Sequence, residues 1–227
     1  EGPVAMADGS VLLVEIARGT LSRVAPDGRV GVVAQTGGGP NGAALGPDGA
    51  VYLCNNGGFR WRRDEHGLRP IGQAEDYSGG RIERVDLGTG RVERLYDACD
   101  GLALRGPNDL VFDAHGGFYF TDLGKTREHD MDRGGVFYAR ADGSAIHVIA
   151  RPALTANGTA LSPDGATLYY AETEGARLWA FDVEGPGRVK KAPFPSPQGA
   201  RCLVAAPGGR PGLPPRRSTD PPIPNPQ

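Results

Sequence analysis

The sequence predicts an all-β chain folded as a β-propeller of four-stranded antiparallel blades. Three observations carry that prediction. Glycine is abundant, 36 of 227 residues, without a collagen-like period, so the chain must turn tightly and often. A turn signal recurs at Ala7-Asp8-Gly9, Pro47-Asp48-Gly49, Ala114-His115-Gly116 and Pro163-Asp164-Gly165, each time between two β-prone runs. A second hairpin follows each of these, and a four-stranded unit repeated along a chain is the signature of a propeller blade. Helical periodicity is absent, so helices are expected to be few.

In the first unit, residues 1–36, Val4-Ala5-Met6 and Val11-Leu12-Leu13-Val14 flank the turn, and residues 20–24 and 30–34 flank Asp27-Gly28. In the second, residues 37–101, the runs are Ala43-Ala44-Leu45 and Val51-Tyr52-Leu53-Cys54, followed by 81–86 and 92–96 around Gly88-Thr89-Gly90. The third, residues 102–152, pairs Leu110-Val111-Phe112 with Phe118-Tyr119-Phe120-Thr121, then 136–140 with 146–150 around Asp142-Gly143. The fourth, residues 153–197, pairs Thr159-Ala160-Leu161 with Leu168-Tyr169-Tyr170-Ala171, then 177–182 with a weaker run at 188–191. A blade cannot bury both its faces alone, so the units are expected to stack around an axis. The polar stretch 57–80, with Phe59, Trp61 and Tyr77, interrupts the second unit and is predicted to be a rim loop over a central pocket.

Composition narrows the function classes. Net charge is −2, and the nearest basic run, Arg60-Trp61-Arg62-Arg63, is followed at once by Asp64 and Glu65, so no nucleic-acid partner is expected. No apolar run approaches the roughly 18 residues of a membrane span, and no charged-then-apolar leader opens the chain. Cys54, Cys99 and Cys202 are odd in number and lack CxxC spacing, which argues against a disulfide framework or zinc. The expectation is a cytoplasmic protein with no membrane partner. No GxSxG elbow, HExxH or phosphate-cradling loop is present, and His66, His115, His129 and His147 read as surface residues.

Counting back seven residues from each turn position, Asp8, Asp48, His115 and Asp164, reaches Glu1, Asn41, Asn108 and Asn157. The first strand of a propeller blade is innermost, so these four oxygen donors are expected to converge on the axis. Each Asn also suits a turn, because Asn tolerates left-handed backbone; the shared register favours convergence. Oxygen donors without His or Cys suit a hard divalent cation, above all calcium, with zinc or magnesium as alternatives. Such an ion can polarise a carbonyl and lower the pKa of water. At the far end of the second strand stand Glu15, Asn55, Asn56, Asp122 and Glu172, read either as acid–base groups or as acceptors for turn amides.

Gly38-Gly39-Pro40-Asn41-Gly42, Gly106-Pro107-Asn108-Asp109-Leu110-Val111-Phe112-Asp113 and Asn157-Gly158-Thr159-Ala160-Leu161-Ser162-Pro163-Asp164-Gly165 resemble the senescence-marker/gluconolactonase (regucalcin-like) family. Glu1-Gly2-Pro3-Val4 and Phe120-Thr121-Asp122-Leu123-Gly124 fit the same pattern, and the likeness covers roughly residues 1–200. The resemblance implies a six-bladed propeller, about four blades of which are present here, with a divalent cation on the axis. It implies hydrolysis of a small lactone or ester by metal-activated water. It assigns Glu1, Asn108 and Asn157 as metal ligands, Asn41 to the substrate, and Asp122 to the same substrate side. Some members carry an Arg just before the third-blade Asn that binds the sugar. Gly106 and Pro107 stand there and Arg105 is offset, a departure from sugar-acid recognition.

The family's fourth ligand, an Asp opening a later blade, has no counterpart after about Ser196, so the catalytic residue is unassigned and this chain is expected to be impaired. Residues 207–227 hold eight Pro and two sizeable aliphatics, Leu213 and Ile223. The tail, 201–227, is therefore expected to be disordered or non-native, as from a frameshift, and the chain to be a fragment. The competing function is a non-catalytic propeller that binds calcium or a protein partner.

Overall fold

The computed structural model describes residues 1–190 and the backbone of Arg201–Cys202. Four antiparallel sheets follow one another along the chain, each built on four strands in sequence order, the last with a fifth short strand added. Blade 1 comprises β1 (Val4–Ala5), β2 (Val11–Glu15), β3 (Thr20–Val24) and β4 (Val30–Gln35). Blade 2 comprises β5 (Pro40–Leu45) and β6 (Val51–Asn55), then an inserted hairpin, β7 (Phe59–Asp64) and β8 (Gly67–Gln73), then β9 (Arg81–Val85) and β10 (Val92–Tyr96). A small hairpin, β11 (Ala98–Cys99) and β12 (Leu102–Ala103), leads into the third unit. Blade 3 comprises β13 (Pro107–Phe112), β14 (Gly117–Asp122), β15 (Gly134–Arg140) and β16 (Ile146–Ala153). Blade 4 comprises β17 (Ala156–Leu161), β18 (Thr167–Glu172), β19 (Arg177–Gly185) and β20 (Arg188–Lys190). No helix occurs among the described residues, and none is therefore long and apolar enough to cross a membrane.

Period-two alternation explains the stacking, because successive side chains on a strand point to opposite faces. In β6, Val51 and Leu53 join Leu12, Val14 and Leu21 in the core between blades 1 and 2. Their alternates Tyr52 and Cys54 join Phe118, Phe120 and Phe137 in the core between blades 2 and 3. Tyr119 and Tyr138 face the other way and pack with Tyr170, Trp179 and Phe181 between blades 3 and 4. Both faces of the central blades are thus buried. Tyrosines cross the same seams with their hydroxyls: Tyr52 donates to the Ala141 carbonyl at 3.1 Å, and Tyr119 accepts from the Gly187 amide at 3.1 Å. Cys54 and Cys99 are buried free thiols, and burial pushes the Cys54 thiol well up.

The turn glycines Gly9, Gly49, Gly116 and Gly165 all hold positive φ, between 69° and 80°, which explains why Gly closes each first hairpin. The first strands of blades 2, 3 and 4 run side by side: β5 lies between β1–β2 of blade 1 and β13, and β13 lies against β17. At Gly42 the approach is so close that a Cβ would stand 2.5 Å from the Asn108 carbonyl oxygen and 2.7 Å from the Asp109 Cα.

Several expectations are corrected. Residues 57–80 are not a loop throughout: Phe59 and Trp61 alternate with Arg60 and Arg62, a strand pattern, and residues 59–64 pair with 67–73. The first strands of blades 2, 3 and 4 begin earlier than their apolar runs, at Pro40, Pro107 and Ala156, because pairing with the second strand continues past a bulge. Two residues of the expected Pro-rich tail, Arg201–Cys202, form a strand, β21, on β19 beyond β20, and complete that edge. The rest of the tail expected over 201–227 lies outside the described residues, as do 191–200.

Gly42→Ala is expected to destabilise the fold by about 1–3 kcal/mol, the usual cost of forcing atoms into a packed seam. Gly31→Ala, at a position with open space around it, is expected to leave the denaturation midpoint essentially unchanged. Equal midpoints for the two variants would contradict the close central packing.

Candidate functional site

A β-bulge recurs where the inner strands of blades 2, 3 and 4 enter their sheets. Pairing slips between Pro40 and Gly42, between Pro107 and Leu110, and between Ala156 and Thr159, so the irregularity falls on Asn41, on Asn108-Asp109 and on Asn157-Gly158. A bulge leaves a residue out of the ladder and re-aims its side chain. In blade 1, Glu1 is held beside β2, its carbonyl accepting from the Val14 amide at 3.0 Å. Glu1, Asn41, Asn108 and Asn157 all line one cavity of about 740 Å³.

The amide groups are oriented. Asn41 Nδ2 donates to the Asn108 carbonyl at 3.2 Å, and Asn157 Nδ2 donates to Thr173 Oγ1 at 2.8 Å. With their nitrogens so committed, the Asn41 and Asn157 side-chain oxygens accept no hydrogen bond among the described residues. One carboxylate and three amide oxygens make an oxygen-only set that fits a hard divalent cation. Among the described residues no three His, Cys, Asp or Glu side chains cluster as a metal site, so a cation here would lean on the amides. Between the strands, Asp109 accepts from the Thr159 amide of blade 4 at 3.0 Å, and burial pushes its carboxyl up, with the Glu1 charge adding to the effect.

Asp122 is not among the residues lining the cavity; its carboxylate accepts from the amides of Arg105, Gly106 and Gly124, at 2.7, 2.7 and 2.8 Å, which is the turn-acceptor reading of this residue. Burial raises its pKa against those donors. The same latch recurs at this register. Asn55 Oδ1 accepts from Gly39 N at 2.8 Å, and Glu172 Oε1 from Leu154 N at 2.9 Å. Each latch ties the end of a second strand to backbone two or three residues ahead of an axial Asn, and so aims it. Glu15, at the equivalent place, does line the cavity; the Ser22 hydroxyl and the Arg18 guanidinium hold its carboxyl below the usual range.

The stretch 57–80, expected to be a rim loop over a central pocket, contributes to the cavity as a hairpin: Phe59 and Trp61 from β7, with Leu68, Pro70 and Ile71 from β8, line it together with the axial residues. The alternation of Phe59 and Trp61 with arginines is the signal for that strand. Sequence reasoning missed Lys125, 1% exposed, whose Nζ donates to Asn56 Oδ1 at 2.9 Å and to the Gly58 carbonyl at 2.8 Å. It also stands 3.9 Å from the Phe59 ring centroid, and so pins the hairpin to blade 3. His66, His115, His129 and His147 are exposed.

Residues 1–199 match the family described as SMP-30/Gluconolactonase/LRE-like region. The chain belongs to that family. Among curated members it is 32% identical over 190 residues to the lactonase drp35 of Staphylococcus saprophyticus, covering 82% of this chain and 51% of that protein. It is 27% identical over 210 residues to a gluconolactonase of Zymomonas mobilis, covering 82% and 53%. The chain therefore spans about half the length of the curated relatives it matches. A gluconolactonase structure from Xanthomonas campestris superposes with a TM-score of 0.67 at 23% identity, over 91% of this chain and 63% of that one, a likeness of fold.

Lys125 titrates within reach of neutral pH, because burial lowers it from 10.5 to about 7 against the opposing charges of Asp122 and Asp132. Below the folded value the ammonium is charged in both states and the burial penalty is complete. As pH rises toward the unfolded value, the folded state sheds its proton first, and the penalty is relieved. Relative to Lys125→Met, the wild type is expected to gain on the order of 2 kcal/mol between pH 7 and 9 in chemical denaturation. A stability difference that stays flat over that interval would refute the buried ammonium.

Proposed function

We propose that the protein is a hydrolase of the lactonase type, opening a small lactone or ester ring at the axial cavity with the help of a divalent cation, calcium by preference. The observation that carries this reading is the meeting of Glu1, Asn41, Asn108 and Asn157 on one cavity wall, in a chain of a family whose curated members include lactonases. Glu1, Asn108 and Asn157 are the candidate ligands, and Asn41 is the candidate substrate contact. A bound cation would supply Lewis acidity toward a carbonyl oxygen and a lowered pKa for water. The chain's own contribution is to aim the amide oxygens through the bulges and latches. Glu15 is the other carboxylate lining the same cavity and the candidate to accept a proton, its basicity reduced by the Ser22 hydroxyl and the Arg18 guanidinium.

With one carboxylate in the set, calcium affinity is expected to be modest, roughly 10⁻⁴ M or weaker, since charge count tunes such sites. Calorimetric calcium titration and pH-stat assay of lactone opening test the reading together. Glu1→Gln is expected to weaken calcium binding at least tenfold and lower hydrolysis in proportion, Asn157→Asp to strengthen calcium binding, and chelation to abolish turnover. Calcium binding without hydrolysis at any calcium concentration would favour a non-catalytic calcium-binding propeller instead.

A further inference from the structure

The cavity has two chemically different walls. One is the axial set of Glu1, Asn41, Asn108 and Asn157; the other is the face of the inserted hairpin. On that face Phe59 and Trp61 sit edge to face, ring centroids 5.9 Å apart at 84°, and Trp61 pairs across the hairpin with Pro70. Leu68 and Ile71 line the same cavity and remain 41% and 39% exposed, large apolar side chains left open to it. The wall is braced from behind by Lys125, through the Phe59 ring and the Gly58 carbonyl.

No basic side chain faces this space among the described residues. The ionisable groups lining it are Glu1 and Glu15. Arg105 is not part of the lining, and its backbone is engaged by Asp122 and Tyr77. Lys125 spends its ammonium on Asn56 and Gly58. A polyhydroxylated ring would set hydroxyls against Phe59, Leu68 and Ile71, whose side chains carry no donor or acceptor, and unpaired buried polar groups are strongly selected against. An alkyl or aryl group would gain there by leaving water.

Resting on the hydrolase reading above, we infer that this site takes lactones bearing an apolar substituent, with the ring oxygens toward the axial residues and the substituent on the hairpin wall. Trp61 is then a built-in reporter, and Trp179, buried between blades 3 and 4, is an internal reference.

The test is a fluorescence titration of the full chain with calcium present, using γ-butyrolactone, γ-hexalactone, γ-octalactone and γ-decalactone, and D-glucono-δ-lactone as the polar competitor. The expected result is tighter binding along the alkyl series, up to about fourfold per added methylene in contact with the wall. D-Glucono-δ-lactone is expected to bind at least tenfold more weakly than γ-octalactone. The emission change should vanish in Trp61→Phe, and the chain-length trend should flatten in Ile71→Ser, an exposed position at which the fold tolerates a polar side chain. Affinity independent of chain length, or tighter binding of D-glucono-δ-lactone, overturns the inference. Hydrolysis is read separately by pH-stat. Chain-length-dependent binding with no ring opening upholds the inferred ligand class and removes the hydrolase reading. Opening of D-glucono-δ-lactone without binding of the alkyl series does the reverse.

Discussion

Each central sheet of this protein is apolar on both faces, and that constraint organises everything else. Val51 and Leu53 need blade 1, while Tyr52 and Cys54 need blade 3, so blade 2 is stable only between neighbours. Stacking four such sheets in order brings their first strands together at the centre. There the backbones come so close that Gly42 has no room for a side chain. The placement of the axial residues follows from packing in the seams.

The axial residues are aimed by a repeated local device. A bulge takes each Asn out of its ladder, and an acceptor at the end of the second strand grips backbone amides just ahead of it. Asn55, Asp122 and Glu172 differ in charge yet perform the same task, because an amide donor needs only an oxygen. In blade 2 the latch is reinforced by a buried pair: Glu83 accepts from Arg81 Nε at 2.5 Å and from Asn55 Nδ2 at 2.9 Å. Carboxylates that resemble catalytic groups on paper are here part of the frame that presents uncharged oxygens to the cavity.

The inserted hairpin adds what the repeat lacks. Four blades built on one pattern bring polar oxygens to one cavity; β7 and β8 add apolar side chains to its lining. Their attachment depends on Lys125, a charge in a place where charges are costly, held by two carbonyl-type oxygens and an aromatic face. The Asn56 side chain that takes part leaves its Nδ2 without a partner, so the junction is polar but incompletely satisfied.

Sequence by itself carried the four-stranded repeat, the turn positions and the register that relates Glu1, Asn41, Asn108 and Asn157, because period-two alternation and Asp-Gly turns are local properties. It also carried the family resemblance, through the motifs around those same residues. It left Asp122 ambiguous between substrate contact and turn acceptor, since the choice depends on whether the Arg105 and Gly106 amides fold back onto it. It left 57–80 as a loop, since a short polar hairpin with few apolar positions shows its pairing only once a cavity gives Phe59 and Trp61 something to face. Lys125 was invisible for the same reason: a lysine is buried only by what packs around it, and here that is a segment some 70 residues earlier in the chain. Tertiary structure alone decided which oxygens remain free at the axis and which are consumed in holding it.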